Sequence, residues 1–235
     1  MVNYVCSLLF VRILIDEGDK LMTLWNKVKI FKIFVQLVLN PNRTDLIFKG
    51  VDIVSQDPNQ PVLKGIENLV LSDAEFHSMY QTKYIPHAPA LDELKNLPAG
   101  TFGRAVFDHM NQNHLDFSLW PTNQADRPIQ YLSARIYQDH DLWHALLGYG
   151  VEVEDELAIQ GFGVAQFQSP IGLMLIAGGL IHLMMKDPRR ALKAFARVNE
   201  TYALGKRVPF LLAQRLHNHF SRPLTEVRQI CGLAT

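Results

Sequence analysis

Residues 126–156 read DRPIQYLSARIYQDHDLWHALLGYGVEVEDE, and this stretch decides the fold. Asp126, with Pro128 two positions on, opens a helix, since proline's fixed φ suits the first turn. Apolar residues then recur at spacings of three and four as far as Leu147. Gly148 and Gly150 end that helix. Glu152, Glu154 and Asp155 suit the start of the next one, beside the positive end of its dipole. The product is a tight helical hairpin.

Outward from the hairpin the same spacing holds, and strand signals are scarce. Leu21 to Leu39 reads as a long core helix, with an apolar stripe of Leu24, Trp25, Val28, Phe31, Val35 and Val38. Lys27, Lys29 and Lys32 form its solvated edge, and Asn40-Pro41-Asn42 ends it. Ser72-Asp73-Ala74-Glu75 is a capping box, and Leu97–Gly103 is a turn feeding a helix through about Met110. Leu157 to Met185 carries no charged side chain and is long enough to cross a bilayer. Its glycines, its glutamines and above all Pro170 divide it into two buried core helices, each too short to span. Asp187-Pro188 starts a helix through about Leu204 that Gly205 ends. Pro209 and Pro223 each fit the first position of a further helix, and Gly232 fits past the end of the last. The expectation is an all-α, single-domain bundle over 1–235 with about eight helices. Within it, 1–60 forms N-terminal helices and 90–232 forms the core.

Composition narrows the function. The chain has 235 residues, 48% hydrophobic and 20% charged, as in an ordinary globular protein. Its 23 basic and 23 acidic residues cancel, so the basic footprint of a nucleic-acid binder is missing. Cys6 and Cys231, at opposite ends, give neither a disulfide framework nor a cysteine zinc site and suit a reducing compartment. The apolar run Val5–Ile15 lacks a preceding basic region, is interrupted by Arg12 and runs into Asp16, Glu17 and Asp19. It therefore reads as neither a signal nor a transit peptide. The expected place is intracellular, in the cytoplasm or peripheral on a membrane.

Chemistry concentrates in His140, Asp141 and His144, followed by Glu156. At 100° per residue the first three lie at about 0°, 100° and 40° on the helix, so all can face one centre. Glu156 comes twelve residues after His144 across the hairpin turn, and antiparallel packing brings it to both imidazoles. Imidazoles with carboxylates fit a transition metal, zinc or ferrous iron, better than magnesium, which prefers all-oxygen sites. Helix-end capping by the same residues is the bland alternative. His109, His114, His182, His217 and His219 read as surface or satisfied core histidines. Arg104, Arg127 and Arg135 are candidates to grip a phosphate or ring carboxylate near the metal, or surface ion-pair partners.

The stretch HDLWHALLGYGVEVEDE at 140–156 resembles the metal motif of the coenzyme Q biosynthesis protein 4 family, His-Asp-x-x-His, eleven residues, Glu. LPAGTFG at 97–103, the Asp126-Arg127-Pro128 lead-in and PLTEVRQICG at 223–232 are similar to it too. The resemblance covers roughly residues 90–232. It implies an all-helical protein working on polyprenylated quinone-ring lipids, with a divalent metal, zinc first, held by His140, Asp141, His144 and Glu156. It implies catalysis at those four residues, by removal of the ring carboxylate and hydroxylation of the same carbon. It also implies peripheral membrane association and other quinone-biosynthesis proteins as partners; the oligomeric state stays open, with a homodimer one candidate. Ile159-Gln160-Gly161-Phe162 is less charged than the family pattern, which points to a head group that differs from a ubiquinone precursor.

On this reading the lipid's tail runs along the Gly-rich apolar helices. Trp143, Phe162, Phe167, Met174 and Gly178 are the candidate lipid-binding residues, with Arg104 and Arg135 at the head group; the three aromatics read equally as buried core residues. Two rivals stand beside it. One is a His-Asp-type metal phosphohydrolase, for which His109 or His114 and Asp187 would be the distant ligands. The other is a non-catalytic prenyl-lipid-binding scaffold. A thermolysin-like peptidase fails because Asp141 stands where the glutamate of His-Glu-x-x-His should be.

Overall fold

The computed structural model describes residues 24–41, 43–55, 60–118 and 125–233. Val5–Ile15, Cys6 and the start of the expected Leu21–Leu39 helix lie outside them. Among the described residues the secondary structure is helical, apart from one bridge between Thr101 and Pro223. Eleven α-helices run α1 Leu24–Leu39, α2 Thr44–Ser55, α3 Pro61–Leu71, α4 Ala74–Gln81, α5 Leu91–Lys95 and α6 Phe102–Gln112. They continue as α7 Pro128–Leu147, α8 Val153–Phe167, α9 Pro170–Lys186, α10 Pro188–Arg207 and α11 Leu224–Ile230. The all-α expectation holds. The excess over about eight comes from residues 44–95, where turn residues cut the chain into four short helices.

The hairpin forms as its sequence dictates. Pro128 takes the first position of α7, and Gly148 closes the helix in the left-handed region at φ 80°. The amides of Gly148 and Tyr149 both donate to the His144 carbonyl, at 2.9 and 3.1 Å. Glu154, Asp155 and Glu156 occupy the first turn of α8. Glu154 and Asp155 also pair with Arg190 and Arg197 of α10. Helices α8 and α10 pack most closely of all, because glycines let their backbones meet. A Cβ on Gly161 would lie 2.7 Å from the Val198 carbonyl, and one on Gly205 would lie 2.9 Å from that of Phe162. Gly205 therefore does not end α10, which continues to Arg207; close approach is what it supplies.

The apolar segment Leu157–Met185 is broken after Phe167, where Gln168 turns left-handed and Ser169 caps α9 through the Gly172 amide at 3.0 Å. Among the described residues no helix is long and apolar enough to cross a membrane. Helix α8 is buried along most of its length, but α9 is not, since Leu173, Met184 and Met185 face outward. Helix α1 departs further. Ile33, Leu37 and Val38 turn inward, while Trp25, Val28, Phe31 and Val35 of the expected core stripe are exposed. The helix is apolar on two faces, and packing uses the other one.

Smaller corrections follow the same physics. Asp73, not Ser72, caps α4, accepting from the Phe76 amide at 2.9 Å. The segment after Pro209 makes two short 3-10 turns, Leu211–Ala213 and Leu216–His219, in place of an α-helix. The main core gathers round α7, where Tyr131, Leu142, Trp143 and Leu146 meet Phe76, Phe102, Phe162 and Leu211. The same side of α7 buries Arg135, Gln138 and Asp139. Arg135 donates to Gln138 at 2.7 Å and to Asp139 at 2.8 Å.

Candidate metal centre

His140 and His144 sit one turn apart near the end of α7, and Glu156 sits in the first turn of α8. One ligand atom from each lies within 4.8 Å of the others. Glu156 approaches His144 Nε2 at 3.4 Å and His140 Nε2 at 3.7 Å. His144 is buried, whereas His140 and Glu156 are partly exposed. The Nδ1 of His144 faces the Tyr149 carbonyl at 3.2 Å, which requires a proton on Nδ1 and points Nε2 toward Glu156. Asp141 stands on the Nδ1 side of His140, 3.5 Å away, and orients that ring likewise.

This donor set fits a transition metal. Two imidazole nitrogens and a carboxylate converge, each ring is aimed by an oxygen at its far nitrogen, and His144 Nε2 is buried without a hydrogen-bond partner. The electrostatics agree. Burial works against charge on His140, yet its hydrogen bond to Asp141 and the Glu156 carboxylate outweigh it and raise the imidazole above its ordinary pKa. Burial likewise acts to raise Asp141 and Glu156, and the histidines overcome it, holding both carboxyls below their usual range.

The sign of the pH dependence follows. A metal must displace the proton that His140 holds above pH 6.5, so divalent-cation affinity falls as pH drops through that raised value. The fall is about tenfold per unit for one displaced proton. In the metal-free chain the same raised pKa contributes stability that is full below pH 6.5 and lost as pH rises through the folded value. Competition titrations with a chelator at pH 6, 7 and 8 check the first point. Equal affinity across that range would contradict it.

The centre opens onto a cavity of ≈ 820 Å³ between α1, α2, α3, α7, α8 and α9. Leu37, Val51, Leu63, Ile136 and Leu175 are among its walls, and His140, Asp141 and Glu156 are in its lining. Of the expected lipid-binding residues, Phe167 and Gly178 line it. Trp143 and Phe162 lie in the core, with ring centroids 6.0 Å apart. Met174 packs by the buried cluster of Ile33, Leu37 and Leu46. Neither expected head-group arginine lines the cavity. Arg104 pairs with Asp108 at 2.9 Å on the surface, and Arg135 is locked to Asp139 on the opposite side of α7. Arg127 meets Glu67 at 3.2 Å, and Asp187 caps α10.

One histidine read as unremarkable is at the centre. His109 of α6 is buried, with its ring stacked on His144, centroids 5.0 Å apart and planes 18° apart. A signal for its direction was in the sequence. Phe102, Val106, His109 and Met110 follow one helical phase, and all four are buried.

Residues 23–235 match the family described as Coenzyme Q (ubiquinone) biosynthesis protein Coq4. The chain is 24% identical over 202 residues to the ubiquinone biosynthesis protein COQ4 homolog, mitochondrial, of Bos taurus, covering 83% of this chain and 72% of that one. It is 30% identical over 129 residues to the protein of the same description from Trypanosoma brucei brucei, covering 52% of this chain and half of that one. A crystal structure of a Nostoc punctiforme protein described under ubiquinone biosynthesis superposes with a TM-score of 0.75. That match has 22% identity and covers 89% of this chain and 99% of the other, a likeness of fold.

Proposed function

The chain belongs to the coenzyme Q (ubiquinone) biosynthesis protein Coq4 family, and from that premise we propose that it acts in polyprenyl-quinone biosynthesis. It holds a prenylated ring lipid with the head at His140, His144 and Glu156 and the tail in the cavity. The observation that carries this reading is the junction itself, a metal-type donor set opening directly into a largely aliphatic chamber. The chamber's size lies within the range of small-molecule pockets, and tail binding draws on about 25 cal/mol per Å² of apolar area removed from water.

A divalent metal there, zinc on the family likeness, supplies Lewis-acid polarisation of a head-group oxygen. The rest falls to the chain's own groups. Tyr149 and Asp141 fix the two imidazoles, Glu156 closes the donor set from α8, and the aliphatic walls keep water from the ring. The reaction class is oxidative decarboxylation: the ring carboxylate leaves as carbon dioxide and a hydroxyl takes its place on the same carbon, with dioxygen from solution as the oxidant. The protein works at a membrane surface beside other quinone-biosynthesis proteins. Supporting that placement, α1 presents Trp25, Phe31 and Leu39 to solvent with the exposed Lys29 and Lys32 among them.

The test is lipid extraction and mass spectrometry of protein purified from quinone-producing cells. Ser133 lines the cavity seven residues before His140, on the same side of α7. Ser133→Phe sets a bulky ring in the chamber near His140 and is expected to reduce co-purifying prenyl lipid sharply while metal content stays unchanged. Gly178→Phe is the blunter tool, because a Cβ there already lies 3.5 Å from Phe34 and Val38 of α1. Parent protein free of prenyl lipid, or a Ser133→Phe variant carrying as much as the parent, overturns the lipid reading.

A further inference from the structure

Three imidazoles, not two, stand in a row leading inward from the cavity, with His140 in its lining and His144 and His109 behind it. His140 meets His144 edge-on, with centroids 4.8 Å apart and planes 63° apart. His109 covers the other side of His144 at 5.0 Å, nearly parallel. His109 comes from α6, a separate helix packed against α7. It is nine-tenths buried, and its Nε2 has no hydrogen-bond partner in the fold. A buried polar atom left unpaired is costly and calls for an explanation. Its neighbour supplies one, since the ring lies flat against His144 of the donor set.

We propose that His109 is a positioning residue of this centre. Its ring clamps the plane of His144, and its Nε2 hydrogen-bonds an oxygen of the head group bound there. The proposal rests on the metal-centre reading above and adds to it a residue from outside the hairpin. The clamp follows from geometry. The Tyr149 carbonyl fixes His144 at one atom only, Nδ1, which leaves rotation about that contact open until a flat ring lies against its face. The second role follows from burial, because an unpaired polar atom one ring away from the donor set is satisfied by a ligand oxygen that reaches past His144.

Two variants separate the roles. His109→Phe keeps a flat ring on His144 and removes the nitrogen; His109→Ala removes both. Each is loaded with Co²⁺, and affinity is measured by chelator competition while the d–d absorption band reports the geometry of the ligands. 4-Hydroxybenzoate, a ring head group without a tail, is then titrated against the same band. His109→Phe should hold Co²⁺ within about threefold of the parent, with the parent's band, but bind 4-hydroxybenzoate at least tenfold more weakly. His109→Gln, which restores a side-chain nitrogen donor, should recover part of that loss. His109→Ala should loosen Co²⁺ tenfold or more and shift the band. Thermal melts of the metal-free variants show whether the fold survives; a purely structural role would lower the melting temperature without moving band or titration. If Phe and Ala both match the parent in Co²⁺ and 4-hydroxybenzoate binding, the proposal is overturned while the metal centre stands. If the parent itself binds no Co²⁺, both fall.

Discussion

Replacing His140 and His144 together with alanine removes the bound metal, from about one ion per chain to less than a tenth, while the chain stays folded. Two of the three convergent donors go at once, and a lone exposed carboxylate binds transition metals weakly. The fold survives because its core lies round the other side of α7 and along α8 and α10. Truncating the buried His144 costs about 1–3 kcal/mol, the usual range for a single substitution, and His140, partly exposed, costs less. Elemental analysis of the purified variant beside its circular dichroism spectrum checks both halves. Full metal occupancy in a folded double variant would mean that the ion is held elsewhere.

The second large effect is on stability and lies on the far side of the same helix. Arg135→Met strands the Asp139 carboxylate, which has no exposure to water and leans on Arg135 for its charge compensation. Burial already pushes the Asp139 carboxyl up to about 6 in spite of the arginine beside it. Breaking a buried pair from one side costs about 3–5 kcal/mol, which for a chain of this size lowers the melting temperature by roughly 10 °C. Removing both partners, in Arg135→Met with Asp139→Leu, recovers most of the loss, because no charge is then left buried. Metal content per folded chain is unchanged in either variant. A single variant as stable as its parent would show that Asp139 is already neutral and that the pair contributes nothing.

The two predictions mark what local sequence does and does not convey. The hairpin and the meeting of His140, His144 and Glu156 across it are legible because they obey local rules. Pro128 and Gly148 bracket α7, His140 and His144 share a face at four-residue spacing, and a short turn returns Glu156 to them. Arg135 was misassigned to the head group, although it precedes His140 by five positions and so lies about 140° round the helix, on the core side. Helical phase held that answer; charge type suggested the wrong one. His109 shows the opposite case. Its phase with Phe102, Val106 and Met110 gives its direction, but its partner belongs to another helix, and nothing local states which helix that is. Helix α1 could not be oriented from its sequence, since both of its faces are apolar and contacts with α9 and α2 select Ile33 and Leu37 for the inside. Glycines divide similarly. Gly148 announces a helix end by its position, whereas Gly205 looks like one and serves instead to let α10 approach α8.

The proposed centre places one transition-metal ion between His140, His144 and Glu156 at the head of the apolar cavity. Anomalous diffraction at the zinc edge, from crystals of the protein grown with zinc, tests it most directly. A single strong peak is expected about 2.0–2.2 Å from Nε2 of both histidines and from a Glu156 oxygen, beside the cavity that Ile136 and Leu175 help to line. A zinc-loaded crystal whose anomalous peaks all lie away from these three side chains would contradict it.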